Sequence, residues 1–306
     1  MSRLLIAGGK LDANLDWLAS AAQRLGVACE LILVDADKLP AFAWTLGDEP
    51  PTVGGRPIEA DAAFVRYDVF STIASGSQGA SASAQAWFAT FTSWCAIAGL
   101  FGFNQRIDFA TGSKLAMLAR ASRFGIPVPR TVVTNSIDAV RGLGDPKSYI
   151  AKPVAGGSYV MGLDEALQAT QFERDLSPSP AIVQPRLAYP ERRIYRIGGE
   201  YFAFDIRAGT IDSRLDAQGG IAPFPIDQLP HRVVEGLSRL TDELRCDFCA
   251  IDMKTDPATG ELVFLELNNG PMFMGYDQTC GGAMAEAMVR YLVAGGAPQA
   301  AGLGGN

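Results

Sequence analysis

The chain has 306 residues, of which 48% are hydrophobic and 19% charged, and its formal net charge is −7. This composition is typical of a globular protein with a sizeable core, large enough for two or three subdomains. Because the charge balance is acidic and lacks a basic footprint, we expect no nucleic-acid partner.

The N-terminal third predicts a parallel α/β domain over residues 1–103. Strands and helices alternate there, as in parallel sheets. The predicted elements are strands at 3–8, 28–34 and 62–66 and a helix at 14–25. Gly8-Gly9 does not form a GxGxxG motif, so dinucleotide binding gains little support.

The segment 80–105 carries no charge and is therefore a candidate membrane span. It contains Ser, Thr and Gln and lacks a continuous apolar core of about 20 residues. We therefore predict a buried helix preceded by a loop at 75–83, and no membrane partner.

The cysteines and the N-terminus indicate a reducing compartment. Five cysteines form no recognisable disulfide framework, and Cys246-x-x-Cys249 lacks the further ligands of a zinc site. Residues 1–12 suit a first strand better than a signal peptide, so we expect a cytoplasmic protein. The single histidine, His231, lies at the expected exposed start of a helix, which argues against histidine-based catalysis.

The rest of the chain predicts a central subdomain (104–186), a C-terminal subdomain (187–296) and a flexible tail (297–306). Pro127 and Pro129 make residues 126–133 extended. The predicted helices are 109–124, a short helix ending at 141, 163–174, 231–245 and 281–294. The predicted strands and loops are strands 148–153, 181–184, 193–198, 200–207, 248–254 and 262–268, a glycine-rich turn at 154–160 and a loop at 177–180.

The last two of these strands predict a metal site. Turn residues at 255–261 indicate a hairpin. With a five-residue loop, position 252 lies opposite 264, which puts Asp252 diagonal to Glu266 on one face of the hairpin. Asn268 shares that face, because side chains alternate along a strand. Carboxylate and amide oxygens in this setting suit Mg²⁺ better than a solvated strand end.

A second pattern predicts a phosphate site. Lys152 ends a buried strand and precedes the glycine-rich turn. Gly156, Gly157 and Ser158 allow backbone N–H groups to approach a phosphate closely, although no Walker A motif is present. Lys114 lies on the preceding predicted helix, where an exposed lysine is the alternative interpretation.

The segment after the central subdomain predicts contacts to a planar base and to anions. Gln184 ends a strand, and the chain then continues extended through Pro185, Arg186 and Leu187 with backbone groups available to a base. Arginines bracket the following hairpin at Arg193, Arg207 and Arg214. One such arginine suggests a surface ion pair, but three beside a metal–phosphate site favour an anion clamp.

These parts in this order resemble the ATP-grasp ligase superfamily, especially its glutathione-synthetase-like and ribosomal-protein glutamate-ligase-like branches. The resemblance covers residues 104–270. The motifs that carry it are Lys114 with 125-GIPVPRT-131, 151-AKPVAGGS-158, 182-IVQ-184, 191-ERR-193, the Arg214 loop, 250-AIDM-253 and 264-FLELNNG-270. It implies an α/β (α+β) ATP-grasp fold with an N-terminal Rossmann-like parallel domain.

The resemblance also implies roles for the candidate residues. It places the ATP phosphates on Lys114 and Lys152, the adenine against residues 184–187 and the ribose on Glu191. Two Mg²⁺ ions would lie on the Asp252, Glu266 and Asn268 oxygens. Arg214 matches an arginine that contacts the transferring phosphoryl group, and we expect Arg214 and Arg207 to be catalytic.

The expected activity is an ATP- and Mg²⁺-dependent carboxylate–amine ligase that forms an amide through an acyl phosphate and releases ADP and phosphate, in small-molecule or natural-product biosynthesis, for example on a free amino acid. Its partners would be ATP, a carboxylate and an amine, or a hydroxyl or thiol, and the resemblance allows a homo-oligomer. One alternative is a peptide-modifying ligase that forms amide or ester crosslinks in a precursor. Others are a phosphotransferase and a non-catalytic ATP-binding scaffold. In the N-terminal domain, Arg66 and Tyr67 are candidate substrate contacts, with an Arg66–Asp68 ion pair as the alternative.

Overall fold

A computed structural model describes residues 2–47, 49–107, 113–155, 160–207 and 220–296. The chain divides into two compact units. The first unit comprises Met1–Arg106, Arg196–Glu200 and Gly270–Asn306. The second comprises Ile107–Tyr195 and Tyr201–Asn269. The subdomain boundaries at 103, 186 and 296 stay predictions.

The described residues form sixteen strands and nine α-helices. The strands are β1 (Arg3–Gly9), β2 (Ala28–Val34), β3 (Phe42–Ala43), β4 (Thr52–Val53), β5 (Arg56–Pro57), β6 (Ala62–Val65), β7 (Phe101–Gly102), β8 (Val132–Ser136), β9 (Tyr149–Pro153), β10 (Met161–Gly162), β11 (Leu176–Pro185), β12 (Ala188–Ile197), β13 (Glu200–Arg207), β14 (Gly220–Phe224), β15 (Phe248–Thr255) and β16 (Leu262–Asn268). The helices are α1 (Ala13–Arg24), α2 (Val69–Ser75), α3 (Gln78–Ile97), α4 (Lys114–Arg123), α5 (Ile137–Arg141), α6 (Leu163–Ala169), α7 (His231–Glu243), α8 (Met274–Thr279) and α9 (Ala283–Val293).

The first unit is built on a parallel sheet in the order β2-β1-β6-β7, which confirms the predicted parallel α/β domain. The central strand β1 is buried on both faces, and Leu4, Leu5 and Ile6 are fully inaccessible to solvent. This explains its continuous apolar sequence, since both faces of a parallel sheet are normally covered. Strands β3, β4 and β5 form a separate small antiparallel sheet.

The loop predicted at 75–83 is wrong, because α3 already begins at Gln78. Ser77 caps this helix, and its hydroxyl accepts a hydrogen bond from the Ala80 amide at 3.2 Å. Ser and Gly residues are typical of loops, but serine at the N-cap also stabilises a helix start. Among the described residues, no helix combines the length and the hydropathy that crossing a bilayer requires.

The second unit contains two antiparallel sheets, in the orders β10-β9-β11-β8 and β14-β13-β12-β15-β16. The loop predicted at 177–180 is wrong, because β11 starts at Leu176 and continues through it with an irregular register. Ser177 fastens this proline-containing stretch to β8, since its hydroxyl donates to the Asn135 carbonyl at 3.2 Å. The helix predicted at 163–174 ends early, at Ala169.

Helices α4 and α7 share one hydrophobic core with β15 and β16. The buried face of α7 consists of Val233, Leu237 and Leu240, at the spacing of an amphipathic helix. His231 begins α7, and its side chain is 94% exposed, as predicted. This core holds the β15–β16 hairpin in place and thereby fixes the polar residues at its end.

Candidate functional site

The β15–β16 hairpin of the second unit places Asp252 directly opposite Glu266. The predicted diagonal arrangement, with residue 252 opposite 264, is therefore wrong. Met253 pairs with Phe264. The register therefore shifts between Asp252 and Met253, and Leu265 is an extra residue in β16. This β-bulge keeps both carboxylates on one face and brings them closer than the diagonal would. Asn268 lies at the exposed end of β16, opposite Ala250.

Two lysines converge on Glu266 from other elements of the same unit. Lys114 is the first residue of α4, and its Nζ lies 4.0 Å from Glu266 Oε2. Lys152 lies in β9 and is only 7% exposed. Burial lowers the pKa of Lys152 to about 8; Glu266 opposes this shift, and the nearby Lys114 adds to it. Three charges therefore meet here with a net charge of +1.

The Lys152 ammonium has no acceptor within hydrogen-bond or ion-pair distance in the described part of the chain. A buried ammonium without a partner is costly, and proteins normally pair such groups. The position is therefore suited to a negatively charged ligand.

Strand β12 supplies a second layer of ion pairs. Arg193 Nη1 lies 3.2 Å from both carboxylate oxygens of Asp252, and its Nε donates to the Tyr195 hydroxyl at 3.1 Å. Glu191 pairs with Lys254 at 3.0 Å, and both side chains are nearly buried. The two pairs lie side by side because residues two apart in a strand share a face. Lys254 is not among the residues predicted from the sequence, although the same alternation from Asp252 identifies it.

The segment predicted to contact a base starts at a buried glutamine. Gln184 is 1% exposed, and its Nε2 donates to Thr131 Oγ1 at 2.8 Å. Its Oε1 has no hydrogen-bond donor among the described residues. The Arg186 amide donates to the Ser148 carbonyl at 2.8 Å and is therefore not available to a base, contrary to expectation. Pro185 has no N–H group, so carbonyl groups remain the main candidates in this linker, which ends at Leu187.

Some candidate residues lie outside the described part of the chain. These are Gly156, Gly157, Ser158 and Arg214. Arg207 is the last residue of β13 and is exposed, opposite Gly220. The structure therefore brings together the lysines, Arg193 and the carboxylates, and leaves the glycine-rich turn and the arginine loop as predictions.

In the first unit, Arg66 forms a structural ion pair, but with a different partner from the one considered. Its Nε donates to Asp12 Oδ2 at 2.7 Å, and its Nη1 donates to the Pro271 carbonyl at 2.8 Å. The alternative Arg66–Asp68 pair is wrong, because Asp68 caps α2 by accepting from the Ser71 amide at 3.0 Å. Tyr67 lies with its hydroxyl 3.5 Å from Ser81 Oγ.

No protein-family model and no curated protein sequence matches the chain. Solved structures do match it over nearly its whole length. The ATP-grasp ligase PsnB, complexed with a phosphomimetic variant of its minimal precursor, Mg and ADP, has a TM-score of 0.73 and 21% identity, covering 96% of this chain and 99% of that one. The macrocyclase MdnC bound with precursor peptide MdnA, from Microcystis aeruginosa MRC, has a TM-score of 0.70 and 18% identity, covering 95% and 99%.

A third match extends the comparison beyond enzymes crystallised with precursor peptides. The VanG D-Ala:D-Ser ligase from Enterococcus faecalis has a TM-score of 0.59 and 15% identity, covering 97% of this chain and 99% of that one. At these identities the similarity shows the fold. The chain therefore has the ATP-grasp fold, as the motifs in its sequence predicted.

The donor set at the end of the hairpin fits a magnesium site. It offers two carboxylates, Asp252 and Glu266, and the carboxamide of Asn268. Within the described ranges, no three His, Cys, Asp or Glu side chains converge as a self-sufficient metal site. Mg²⁺ is usually held by one or two carboxylates together with substrate phosphates and water, so two acids beside two lysines suit a metal that arrives with a phosphate ligand.

Proposed function

We propose that the protein is an ATP- and Mg²⁺-dependent ligase that joins a carboxylate to an amine or hydroxyl of a peptide substrate. The observation that carries this proposal is the buried Lys152 beside Lys114, at the end of a hairpin that presents two carboxylates. The ATP-grasp fold supports it, since the matched structures of this fold are named as ligases or macrocyclases.

The lysines would bind the phosphates of ATP. The cluster of Lys114, Lys152 and Glu266 carries one excess positive charge, and a phosphate brought to it would stabilise the charged form of Lys152. Burial strengthens this attraction, because ionic interactions are screened less in a partly buried site than in water. Lysine suits this role as a compact point charge.

Asp252, Glu266 and Asn268 would hold the magnesium ions. When bound, Mg²⁺ supplies neutralisation of the phosphate charge during phosphoryl transfer. Without bound ligands, Arg193 forms an ion pair with Asp252 and neutralises its carboxylate. The positive charge of Arg193 would offset the repulsion between the two acids.

The reaction would proceed in two steps, phosphoryl transfer and then nucleophilic attack. A substrate carboxylate oxygen attacks the γ-phosphorus, the bond from that phosphorus to the β,γ-bridging oxygen breaks, and ADP leaves with an acyl phosphate formed. The amine or hydroxyl then attacks the carbonyl carbon, the carbon–oxygen bond to phosphate breaks, and the nucleophile loses a proton to solvent. Arg207 and Arg214 would stabilise the negative charge that develops on the transferring group and on the carbonyl oxygen.

The two candidate classes of substrate are a peptide and a free amino acid. Several matched structures contain precursor peptides, among them a Chryseobacterium gregarium RiPP-associated ATP-grasp ligase with a leader and core peptide, at a TM-score of 0.69 and 18% identity over 98% of each chain. This supports a peptide as the substrate and an ester or amide crosslink as the product. The weaker match to VanG favours the second candidate, a small-molecule amide ligase acting on free amino acids. An ATP-consuming ligase of either kind would act in the cytoplasm.

The test is ADP release from ATP and Mg²⁺ with acidic peptides and with free amino acids, in the presence and absence of an added nucleophile. We expect release that requires a carboxylate and increases with the nucleophile. Glu266→Gln should abolish release without unfolding the protein, and Glu165→Gln, which removes an exposed acid of the same unit, should not.

Other outcomes identify the competing functions. Nucleotide binding without ADP release under any condition would indicate a non-catalytic scaffold. A stable phosphorylated product that forms without a second substrate would indicate a phosphotransferase. Undiminished release by Glu266→Gln would exclude the proposed metal site.

A further inference from the structure

The first unit contains a cavity that the proposed ATP chemistry does not use. Its volume is about 90 Å³, and it lies at the carboxyl edge of the parallel sheet, where Gly9 ends β1 and Val34 ends β2. Ligands of open parallel α/β sheets bind at this edge. The motifs of the sequence assign no function to α3, which lies along this cavity.

The walls of the cavity are apolar and held in place by aromatic packing. Leu39, Ala84, Trp87 and Phe88 line it. Trp87 stacks on Phe91 with ring centroids 5.6 Å apart, and Phe88 packs edge-on against Tyr67 at 6.0 Å. Preformed apolar pockets with few polar groups are typical of small-molecule sites.

The polar end of the cavity carries one carboxylate, that of Asp68. Its Oδ1 accepts from the Ser71 amide at 3.0 Å, whereas Oδ2 has no hydrogen-bond donor in the described part of the chain. The carboxylate packs against the end of β1, because a Cβ added at Gly9 would lie 2.0 Å from Asp68 Cγ. Ser83 contributes a hydroxyl to the same lining.

The charges at this end sum to −1. Arg66 also lines the cavity, but its guanidinium is paired with the buried Asp12. Asp68 is therefore the one acid of this group without an opposite charge in the described residues. An anionic ligand would be repelled by this carboxylate. A purely apolar ligand would remove its hydration without supplying a hydrogen bond or an opposite charge, which is costly.

We propose that this cavity binds a primary ammonium group carried on an apolar body. The ammonium pairs with Asp68 Oδ2, and the body packs against Trp87 and Phe88, whose rings also attract cations. An amine held in this way stays protonated and is not a nucleophile, so the site recognises its ligand rather than activates it. The proposal is independent of the proposed ligase activity and is tested by binding alone.

The experiment is calorimetric titration of the full chain with three ligands of one shape and different charge. They are 2-phenylethylamine, the neutral 2-phenylethanol and the anionic 3-phenylpropanoate. We expect the amine to bind at least about tenfold more tightly than the alcohol, and the anion not to bind, as a charge-assisted hydrogen bond implies. Phenylalanine amide and the tripeptide Phe-Gly-Gly then distinguish a free amine from a peptide amino terminus.

Matched variants locate the charge. Asp68→Asn keeps the shape of the side chain and should weaken the amine at least about tenfold while leaving the alcohol unchanged. Asp16→Asn removes an exposed acid of the same unit and should change neither. Ala84→Trp should abolish binding of all ligands by filling the cavity.

Three results would overturn the proposal. The anion could bind as well as the amine, the amine could retain its affinity in Asp68→Asn, or none of the ligands could bind. The comparison of the three ligands on the unmodified protein keeps the test decisive even if a variant fails to fold.

Discussion

Each of the two units contains a cluster of buried ionised side chains, Arg66 with Asp12 in the first and Lys152 with its neighbours in the second, but only the first cluster satisfies its charges internally. In the first unit, Arg66 and Asp12 form a buried pair at 2.7 Å, and Asp12 Oδ1 also accepts from the Asn14 amide at 3.0 Å. In the second unit, the buried ammonium of Lys152 meets another cation and a carboxylate beyond ion-pair distance. Buried polar groups are normally satisfied, so the first cluster is structural and the second is suited to a ligand.

The same contrast extends to the chain segment after the metal-site hairpin. After Gly270, Pro271 accepts from Arg66 through its carbonyl, and the amides of Phe273 and Met274 both donate to Asn14 Oδ1 at 2.8 Å. The chain that leaves the second unit at Asn269 is thus fixed inside the first unit by its buried ion pair. The Arg66, Asp12 and Asn14 side chains of the first unit thus position backbone, whereas Lys114 and Lys152 of the second present charge.

The largest expected effect is that of Lys152→Met, which removes the charge and keeps the length of the side chain. ADP release should fall about 10²–10³-fold, as for the loss of one preorganised electrostatic contact. Stability in urea should be unchanged or higher, because the fold no longer buries an ammonium.

The control for this variant is Lys147→Met, which removes an exposed lysine of the same unit and should leave both quantities unchanged. A clear loss of stability in Lys152→Met, with activity retained, would mean that the second cluster is structural like the first.

The second prediction concerns the first unit, where the expected loss is in stability. Arg66→Met leaves the carboxylate of Asp12 buried without its partner, which should lower the free energy of unfolding by about 3–5 kcal/mol. Arg3→Met breaks the exposed pair with Glu59 and should cost about 1 kcal/mol or less. Chemical denaturation of both variants measures this difference. A small loss in Arg66→Met would remove the argument that its ion pair is structural.

The third prediction uses the pKa of Lys152, which burial lowers to about 8. A bound phosphate stabilises the ammonium and raises this pKa, so protonation favours binding. ADP affinity should be constant below about pH 8 and fall above it, by up to roughly tenfold per pH unit. Titration calorimetry with Mg²⁺ between pH 7 and 9.5 measures this profile. Lys152→Arg, which stays charged, should flatten it, and an unmodified protein with a flat profile would contradict the assignment.

How much the sequence could predict depends on the range of the interactions involved. Strands β2, β13 and β16 match their predicted bounds because apolar patterning and turn residues define them locally. The bulge at Leu265 was missed because it depends on pairing with another strand, and it changed the Asp252–Glu266 geometry. The position of Lys152 beside Glu266 and the partner of Arg66 could likewise not be predicted, since both depend on residues distant in sequence.

The smallest expected effect is that of Asp68→Asn on the free energy of unfolding, compared with that of Asp12→Asn in the same unit. Asp68→Asn should change the free energy of unfolding by less than about 0.5 kcal/mol, because asparagine caps a helix as well as aspartate does. Asp12→Asn should cost several times more, since the Arg66 guanidinium then lies buried without a counter-charge. Urea unfolding of the two variants measures the ratio. A costly Asp68→Asn would make Asp68 part of the structural network and would remove the free charge on which ammonium recognition depends. A neutral one would leave Asp68 as a carboxylate that the fold itself does not need.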